Sequence, residues 1–203
     1  KISKHSINFK NTGYGFSEIQ YLSVTNTSTI PLSYKMKVRA DKSFDKREIQ
    51  VMPESGVIPS NDVQKFSIEF MPTYLKKYNA ILAFTALDLN ETTDILLSGE
   101  CVCPNITLFK ADVEIGEAFI GKRICCNIVA DNETNYPAKY EHILCTDPTI
   151  LEAKIEFDSE SGVISPNGKT VIPFYFTPKM IGTIQLTRFI KIAGATFMPL
   201  DYR

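Results

Sequence analysis

The chain has 203 residues, of which 44% are apolar and 22% charged, with thirteen Phe, nine Tyr and no Trp; that is enough apolar material for packed cores and excludes a disordered chain. Net charge is −1, and the halves are balanced separately, with 12 Lys and Arg against 11 Asp and Glu in residues 1–103 and 10 against 12 in residues 104–203. Neither half holds the basic surplus that phosphate neutralisation or an anionic membrane surface demands, so nucleic acid is not an expected partner. No run of eighteen apolar residues is present, so no membrane insertion is expected.

Read against itself at an offset of 106, the sequence matches without a gap from Ile7 to Phe84. Such a period is the size of a whole domain, well beyond the roughly 20–50 residues of a solenoid unit. Two tandem domains are therefore expected, 1–101 and 102–203, as a fragment of a longer array. The stretch Gly99–Asn105 serves as the join.

The elements come in pairs. Ile7 and Phe9 match Val113 and Ile115, and Leu22 and Val24 match Ile128 and Ala130, each pair alternating as in a half-buried strand. A polar loop follows in both copies, Asn26 to Pro31 and Asn132 to Pro137. Leu32, Tyr34, Met36 and Val38 then line one face of a strand, as do Ala138, Tyr140, His142 and Leu144. Lys35, Lys37 and Arg39 fall on the opposite, solvated face. Ile49 and Val51 match Ile155 and Phe157.

Next, Glu54-Ser-Gly56 and Glu160-Ser-Gly162 read as turns, with glycine at a left-handed position. Ile58 and Ile164 follow, then second turns at Pro59-Ser-Asn-Asp62 and Ser165-Pro-Asn-Gly168. Phe66, Ile68 and Phe70 alternate, as do Ile172, Phe174 and Phe176; Pro72 and Pro178 are expected to stop these strands, because proline gives no donor to a ladder. Past Phe84 the register between the copies blurs. About seven short strands per hundred residues, with no helical period, predict an all-β fold: two immunoglobulin-like β-sandwiches in tandem.

The run Ile49-Gln-Val-Met-Pro53-Glu-Ser-Gly56-Val-Ile58-Pro59, followed by Phe66-Ser-Ile-Glu-Phe70-Met-Pro72, resembles the ASH domain, a relative of the major sperm protein and PapD-like sandwiches. Val24-Thr-Asn26 to Pro31-Leu-Ser-Tyr34 is similar to that family's hairpin, and Leu96-Leu-Ser-Gly-Glu100 to its closing strand. The second copy repeats Asn132, Pro137, Tyr140, Gly162, Ile164, Phe176 and Pro178, but has Ser159 where the first has Pro53. Long chains of such modules are typical of ciliary and centrosomal proteins, including those of the axonemal central apparatus. The resemblance thus implies a non-enzymatic scaffold of the cytoplasm and cytoskeleton, in the cilium or flagellum axoneme. Its implied partners are axonemal or microtubule-associated proteins and neighbouring ASH-like domains of the same chain.

Chemistry-bearing residues are few. A catalytic triad or dyad needs a histidine, and only His5, at one end, and His142, on an inward strand face, are present. No catalytic residue, cofactor or metal is expected. Paired carboxylates at Asp45/Glu48 and Glu152/Glu156 read as solvated charge. Five cysteines (101, 103, 125, 126 and 145) have neither the pairing of a disulfide framework nor zinc-ligand spacing. Tyr14, Tyr74 and Tyr136 are candidate exposed anchors for a partner.

Asn-X-Ser/Thr triplets at Asn26, Asn90, Asn105 and Asn132 leave an alternative, a luminal or extracellular adhesion or receptor segment with N-glycosylated domains. The unpaired cysteines favour reading Asn26 and Asn132 as one turn used twice.

Overall fold

In the computed structural model, residues 1–39, 47–109, 112–143, 152–195 and 197–202 are described. Leu144, Asp45 and Cys145 lie outside them. The chain divides into two compact units, Lys1–Val102 and Cys103–Arg203. Each is a β-sandwich of the immunoglobulin-like type with its own hydrophobic core.

The first unit contains β1 (Ser6–Gly13), β2 (Glu18–Thr25), β3 (Leu32–Arg39), β4 (Ile49–Met52), β5 (Ser55–Ile58), β6 (Val63–Phe70), β7 (Lys77–Ala86) and β8 (Glu91–Val102). One sheet has the order β1-β8-β7-β3-β5 and the other β2-β6-β4. The period-2 pattern is the reason: Tyr34 and Met36 on β3, Ile49 and Val51 on β4, and Phe66, Ile68 and Phe70 on β6 all point inward and are buried. Aromatic rings fill the space between the sheets, with Tyr34 edge-on to Phe66 at 5.2 Å and Phe9 against Phe70 at 5.0 Å.

The second unit contains β9 (Ile106–Phe109), β10 (Asp112–Val113), β11 (Ile124–Asn132), β12 (Ala138–Ile143), β13 (Ala153–Phe157), β14 (Ser161–Ile164), β15 (Gly168–Pro178), β16 (Leu186–Ile192) and β17 (Phe197–Tyr202). Its sheets run β10-β17-β16-β12-β14 and β13-β15-β11-β9. Ile128, Ala130, Ile164, Ile172, Phe174 and Ile190 are buried at its centre.

The offset of 106 survives in the hydrogen-bond register. Met36 lies opposite Phe84, and His142 opposite Ile190. The first strand of each copy changes sheets on the way: Ile2 bridges Val24 before β1 joins β8, as Leu108 pairs with Ala130 before β10 joins β17. The blur past Phe84 has one cause. Phe84 faces Thr93, whereas Ile190 faces Met198, so the last hairpin of the second unit is one residue shorter. The same one-residue shift reappears in the parallel pairings, Ile7 with Leu97 and Val113 with Tyr202.

Four expectations need correction. The units have eight and nine strands among the described residues: the segment from Ile49 to Ile58 crosses between sheets, β4 pairing with β6 and β5 with β3, β13 and β14 do the same in the second unit, and there the first strand is also divided between the sheets as β9 and β10. Gly56 and Gly162 are accordingly strand residues of β5 and β14, absent from the positive-φ positions; the left-handed glycines are Gly15 and Gly121, at φ 71° and 74°, among others. Pro178 does not stand beyond its strand but is its last residue, opposite Ala153, because β13 begins early enough to pair with it. Gly99–Val102 belongs to β8, leaving Cys103–Asn105 as the segment between the last strand of one unit and the first of the next.

What glycine supplies at 56 and 162 is room. Gly56 faces Tyr34 across the β3–β5 ladder, and a Cβ there would stand 2.9 Å from the Tyr34 hydroxyl; at Gly162 it would stand 2.6 Å from that of Tyr140. Gly56→Ala is expected to destabilise the first unit by about 1–3 kcal/mol, and adding Tyr34→Phe should recover part of the loss. Denaturant midpoints of the single and double variants check this; no recovery would point to a backbone requirement.

Candidate functional site

With no catalytic constellation in the sequence, the candidate site is the duplicated motif itself. Asn26 directly follows β2 and is buried. Its amide nitrogen donates to the carbonyls of Ile30, Ile58 and Pro59 at 2.8, 3.1 and 3.0 Å, and its oxygen accepts from the Ser28 backbone N–H and hydroxyl. One side chain therefore ties the end of a strand in one sheet to the end of β5 in the other, and shapes the loop between. Asn132 repeats the bonds within the loop: its amide donates to the Tyr136 carbonyl, and its oxygen accepts from the Thr134 N–H and hydroxyl. Local side-chain bonds of this kind are why Asn and Ser/Thr suit such loops.

Beside it, Asn61 and Asn167 take left-handed backbones at φ 58° and 48°, and their N–H groups donate to the Ser28 and Thr134 carbonyls. Pro31 and Pro137 directly precede β3 and β12. Ile58 and Ile164 are fully buried. The Met52–Pro53 peptide is cis. At the corresponding place in the second unit, the Ser159 hydroxyl bonds to the Ser161 carbonyl. At the other end of each sandwich, Phe70 and Phe176 are in the core, and the Pro72 and Pro178 carbonyls accept from the Gly15 and Gly121 N–H groups at 3.0 and 2.8 Å. The motif residues thus form two clusters, one per end of each unit; they hold loops, and none presents a reactive group to solvent.

Two of the four triplets are settled by this geometry. A glycan acceptor must offer its amide nitrogen to solvent, whereas those of Asn26 and Asn132 are buried and bonded. Asn90 and Asn105 are exposed.

Other candidates fall into place. His5 is exposed. The His142 ring stacks on Phe157 at 3.5 Å and meets Tyr140 edge-on at 5.5 Å; both ring nitrogens are buried without a hydrogen bond, and burial lowers its pKa to about 4. It is a half-buried residue at the margin of the core, in contact with two aromatic rings. Glu48 is not solvated charge. It is 1% exposed, and one carboxylate oxygen accepts from the Thr73 N–H and hydroxyl and the Tyr78 hydroxyl. Burial, then the bond to Glu48, pushes the Tyr78 pKa up. Glu156 pairs with Lys154 at 2.7 Å, which holds its carboxyl below the usual range.

Burial pushes the Cys126 thiol up, and the neighbouring Cys125 adds to it, which makes Cys126 a poor nucleophile at neutral pH. Among the described residues no group of His, Cys, Asp and Glu converges as a metal site. Of the proposed anchors, Tyr14 packs on its own core and Tyr136 donates to the Cys103 carbonyl, so Tyr74 alone is strongly exposed, with the Lys76 ammonium 5.5 Å from its ring centre. The partners of Glu48 and the rings over Gly56 and Gly162 escaped the sequence reading, since each joins residues far apart in the chain.

No family model matches this sequence. Comparison with curated proteins does find relatives: the chain is 24% identical over 225 aligned residues to a Mus musculus protein, covering 96% of this chain. The chain is similar to hydrocephalus-inducing protein. The Homo sapiens homolog of hydrocephalus-inducing protein is 23% identical over the same share of the chain. This chain spans about 4% of the length of either relative. Among solved structures, the ASH / PapD-like domain 7 of human CEP192 is 24% identical, covers 50% of this chain and 84% of its own, and has a TM-score of 0.44. The E. coli chaperone DraB is 9% identical over 100% of this chain and 96% of its own, with a TM-score of 0.41.

Two outcomes follow from the geometry. Asn26→Ala and Asn26→Asp should each cost about 1–3 kcal/mol, because both leave buried carbonyls without a donor; denaturant melts check this, and a neutral Asn26→Asp would contradict it. For His142, a folded pKa below the unfolded value of about 6.5 means its contribution is intact above pH 6.5 and lost as pH falls toward 4. His142→Phe should therefore gain stability relative to the parent at pH 5 compared with pH 7.5, read from urea midpoints at the two pH values.

Proposed function

We propose that this chain is a non-enzymatic scaffold segment of a ciliary protein of the axonemal central apparatus, carrying two ASH-like modules of a longer tandem array. Its task is protein–protein interaction in cilium assembly or motility. The observation that carries the reading is the similarity to hydrocephalus-inducing protein, Hydin, along nearly the whole chain, across both copies of the module. The residue-level resemblance of both copies to the ASH domain supports it. So does the use of polar and motif side chains: Asn26, Asn132, Glu48 and the Tyr–Gly pairs are spent on holding the sandwich.

Partners of such a segment are axonemal or microtubule-associated proteins and the neighbouring modules of its own chain. Exposed apolar side chains on the outward face of the β2-β6-β4 sheet, Ile19, Tyr21 and Met52, offer contact area of the kind that protein interfaces use.

The test is location together with glycan state. An endogenously tagged parent protein, imaged by immunogold in ciliated cells, should label the axoneme centre, and intact-mass analysis of the native protein should show no N-glycan. Labelling of the secretory pathway or cell surface, with glycan mass on Asn90 or Asn105, would replace this reading with a luminal adhesion segment.

A further inference from the structure

Between Ile7 and Phe84 the longest run of identity with the second copy is Glu54-Ser-Gly-Val-Ile58, which returns as Glu160-Ser-Gly-Val-Ile164. Two of these residues have a task inside the sandwich. Gly56 and Gly162 make room for a tyrosine ring, and Ile58 and Ile164 are fully buried. The Glu, Ser and Val side chains are exposed in both copies, Val57 to 57% and Val163 to 49%. Neither the Glu54 nor the Glu160 carboxylate has an ion pair or a hydrogen bond among the described residues.

Among the described residues this segment ends its sheet in both units: β5 pairs only with β3, and β14 only with β12. The ladder fixes which way the backbone points. The Met36 N–H donates to the Glu54 carbonyl at 2.6 Å, as the His142 N–H does to the Glu160 carbonyl at 2.9 Å. Bonded and non-bonded residues alternate in an antiparallel ladder. Glu54, Gly56 and Ile58 therefore turn their backbone groups toward β3, and Ser55 and Val57 turn theirs to the open edge. Ser33, opposite Val57, agrees: its carbonyl points away from β5 and accepts from the Leu87 N–H at 2.9 Å. In the second unit the groups of Ser161 are taken, since its carbonyl accepts from the Ser159 hydroxyl and its N–H donates to the same oxygen. The first unit has Pro53 there, and the N–H and carbonyl groups of Ser55 and Val57 have no partner among the described residues.

We propose that the open edge of β5 accepts an extended strand of a partner protein, added antiparallel, and that Ser159 closes the matching edge of β14 at Ser161. The partner strand sets a β-branched residue opposite Val57 and a Lys or Arg opposite Glu54. Unbonded edge groups are a template for a further strand, and bonds to Ser55 and Val57 supply the attachment. Val57 on one face and the unpaired Glu54 carboxylate on the other supply the selection, because cross-strand neighbours of matching shape and opposite charge attract. The second unit shows that such groups are bonded when a partner is within reach: one hydroxyl serves both groups of Ser161. This docking rests on strand geometry and holds wherever the parent protein acts.

The probe is the peptide acetyl-Thr-Val-Thr-Thr-Lys-Thr-amide, whose Val and Lys fall opposite Val57 and Glu54 in that register. It is titrated into the intact, nitrogen-15-labelled chain, and amide resonances are followed by NMR, which detects millimolar binding. Saturable shifts at Ser55 and Val57, without shifts at Ser161, are the expected result. Glu54→Lys, at an exposed side chain, should weaken the peptide about threefold or more, and a peptide with Glu in place of its Lys should then recover binding. Val57→Pro removes an outward N–H and no ladder bond, and should abolish the shift at Ser55. Ser159→Ala should bring saturable shifts to Ser161 and Val163 as well, which keeps the test open if Val57→Pro folds poorly. No saturable shift at Ser55 and Val57, an affinity unchanged by Glu54→Lys, or equal binding at Ser161 with Ser159 in place overturns the proposal. So does a dimer of the chain in which the Ser55 and Val57 amides are already protected, which would assign the edge to a second copy.

Discussion

Each unit depends on one constraint: two sheets, each apolar on one face only, must cover one another within about a hundred residues. The strands are short, and their inward residues come every second position, so the chain has to cross repeatedly between sheets to supply both faces. It does so at matched places in both copies: before the first long strand, after β2 or β11, and between β4 and β5 or β13 and β14. Burial of Phe66, Phe70, Phe174 and their neighbours drives the packing. The crossings decide which strand meets which.

Crossings are where the polar residues are used. A loop that leaves one sheet for the other strands backbone carbonyls near the core, and a buried donor must reach them. Asn26 and Asn132 provide that donor, and the left-handed Asn61 and Asn167 close the neighbouring turn against the same loop. The Tyr34–Gly56 and Tyr140–Gly162 pairs let a large ring lie flat over an edge strand. Because the second copy repeats these devices with different residues around them, the shared ones are those the architecture requires. Glu48 with Tyr78 is a device of the first unit; Lys154 and Ile184 occupy those positions in the second.

Much of this was legible in the sequence because strand alternation is local and the repeat doubles the signal. The inward sets on β3, β6 and β15, the Asn-to-Pro loops and the two-core division all come from spacing. What was not legible depends on pairs distant in sequence. Gly56 reads as a turn glycine when seen beside Glu54 and Ser55; only the register with Tyr34 shows that it answers a ring across the ladder. Glu48 reads as surface charge until Thr73 and Tyr78 are brought to it. The end of β8 reads as a linker because its partners, Asn11 to Gly13, lie ninety residues away. The proposed function rests on resemblance, because the sequence offers no reactive constellation from which a chemistry could be read.

The most direct measurement is native-state hydrogen exchange on the intact chain carrying Phe66→Ala or Phe174→Ala, each of which removes a fully buried ring and costs about 3–5 kcal/mol. With two independent cores, Phe66→Ala lowers protection throughout residues 1–102 and leaves the second unit unchanged, and Phe174→Ala does the reverse. A uniform loss of protection along all 203 residues from either substitution would mean one shared core, and would contradict the account.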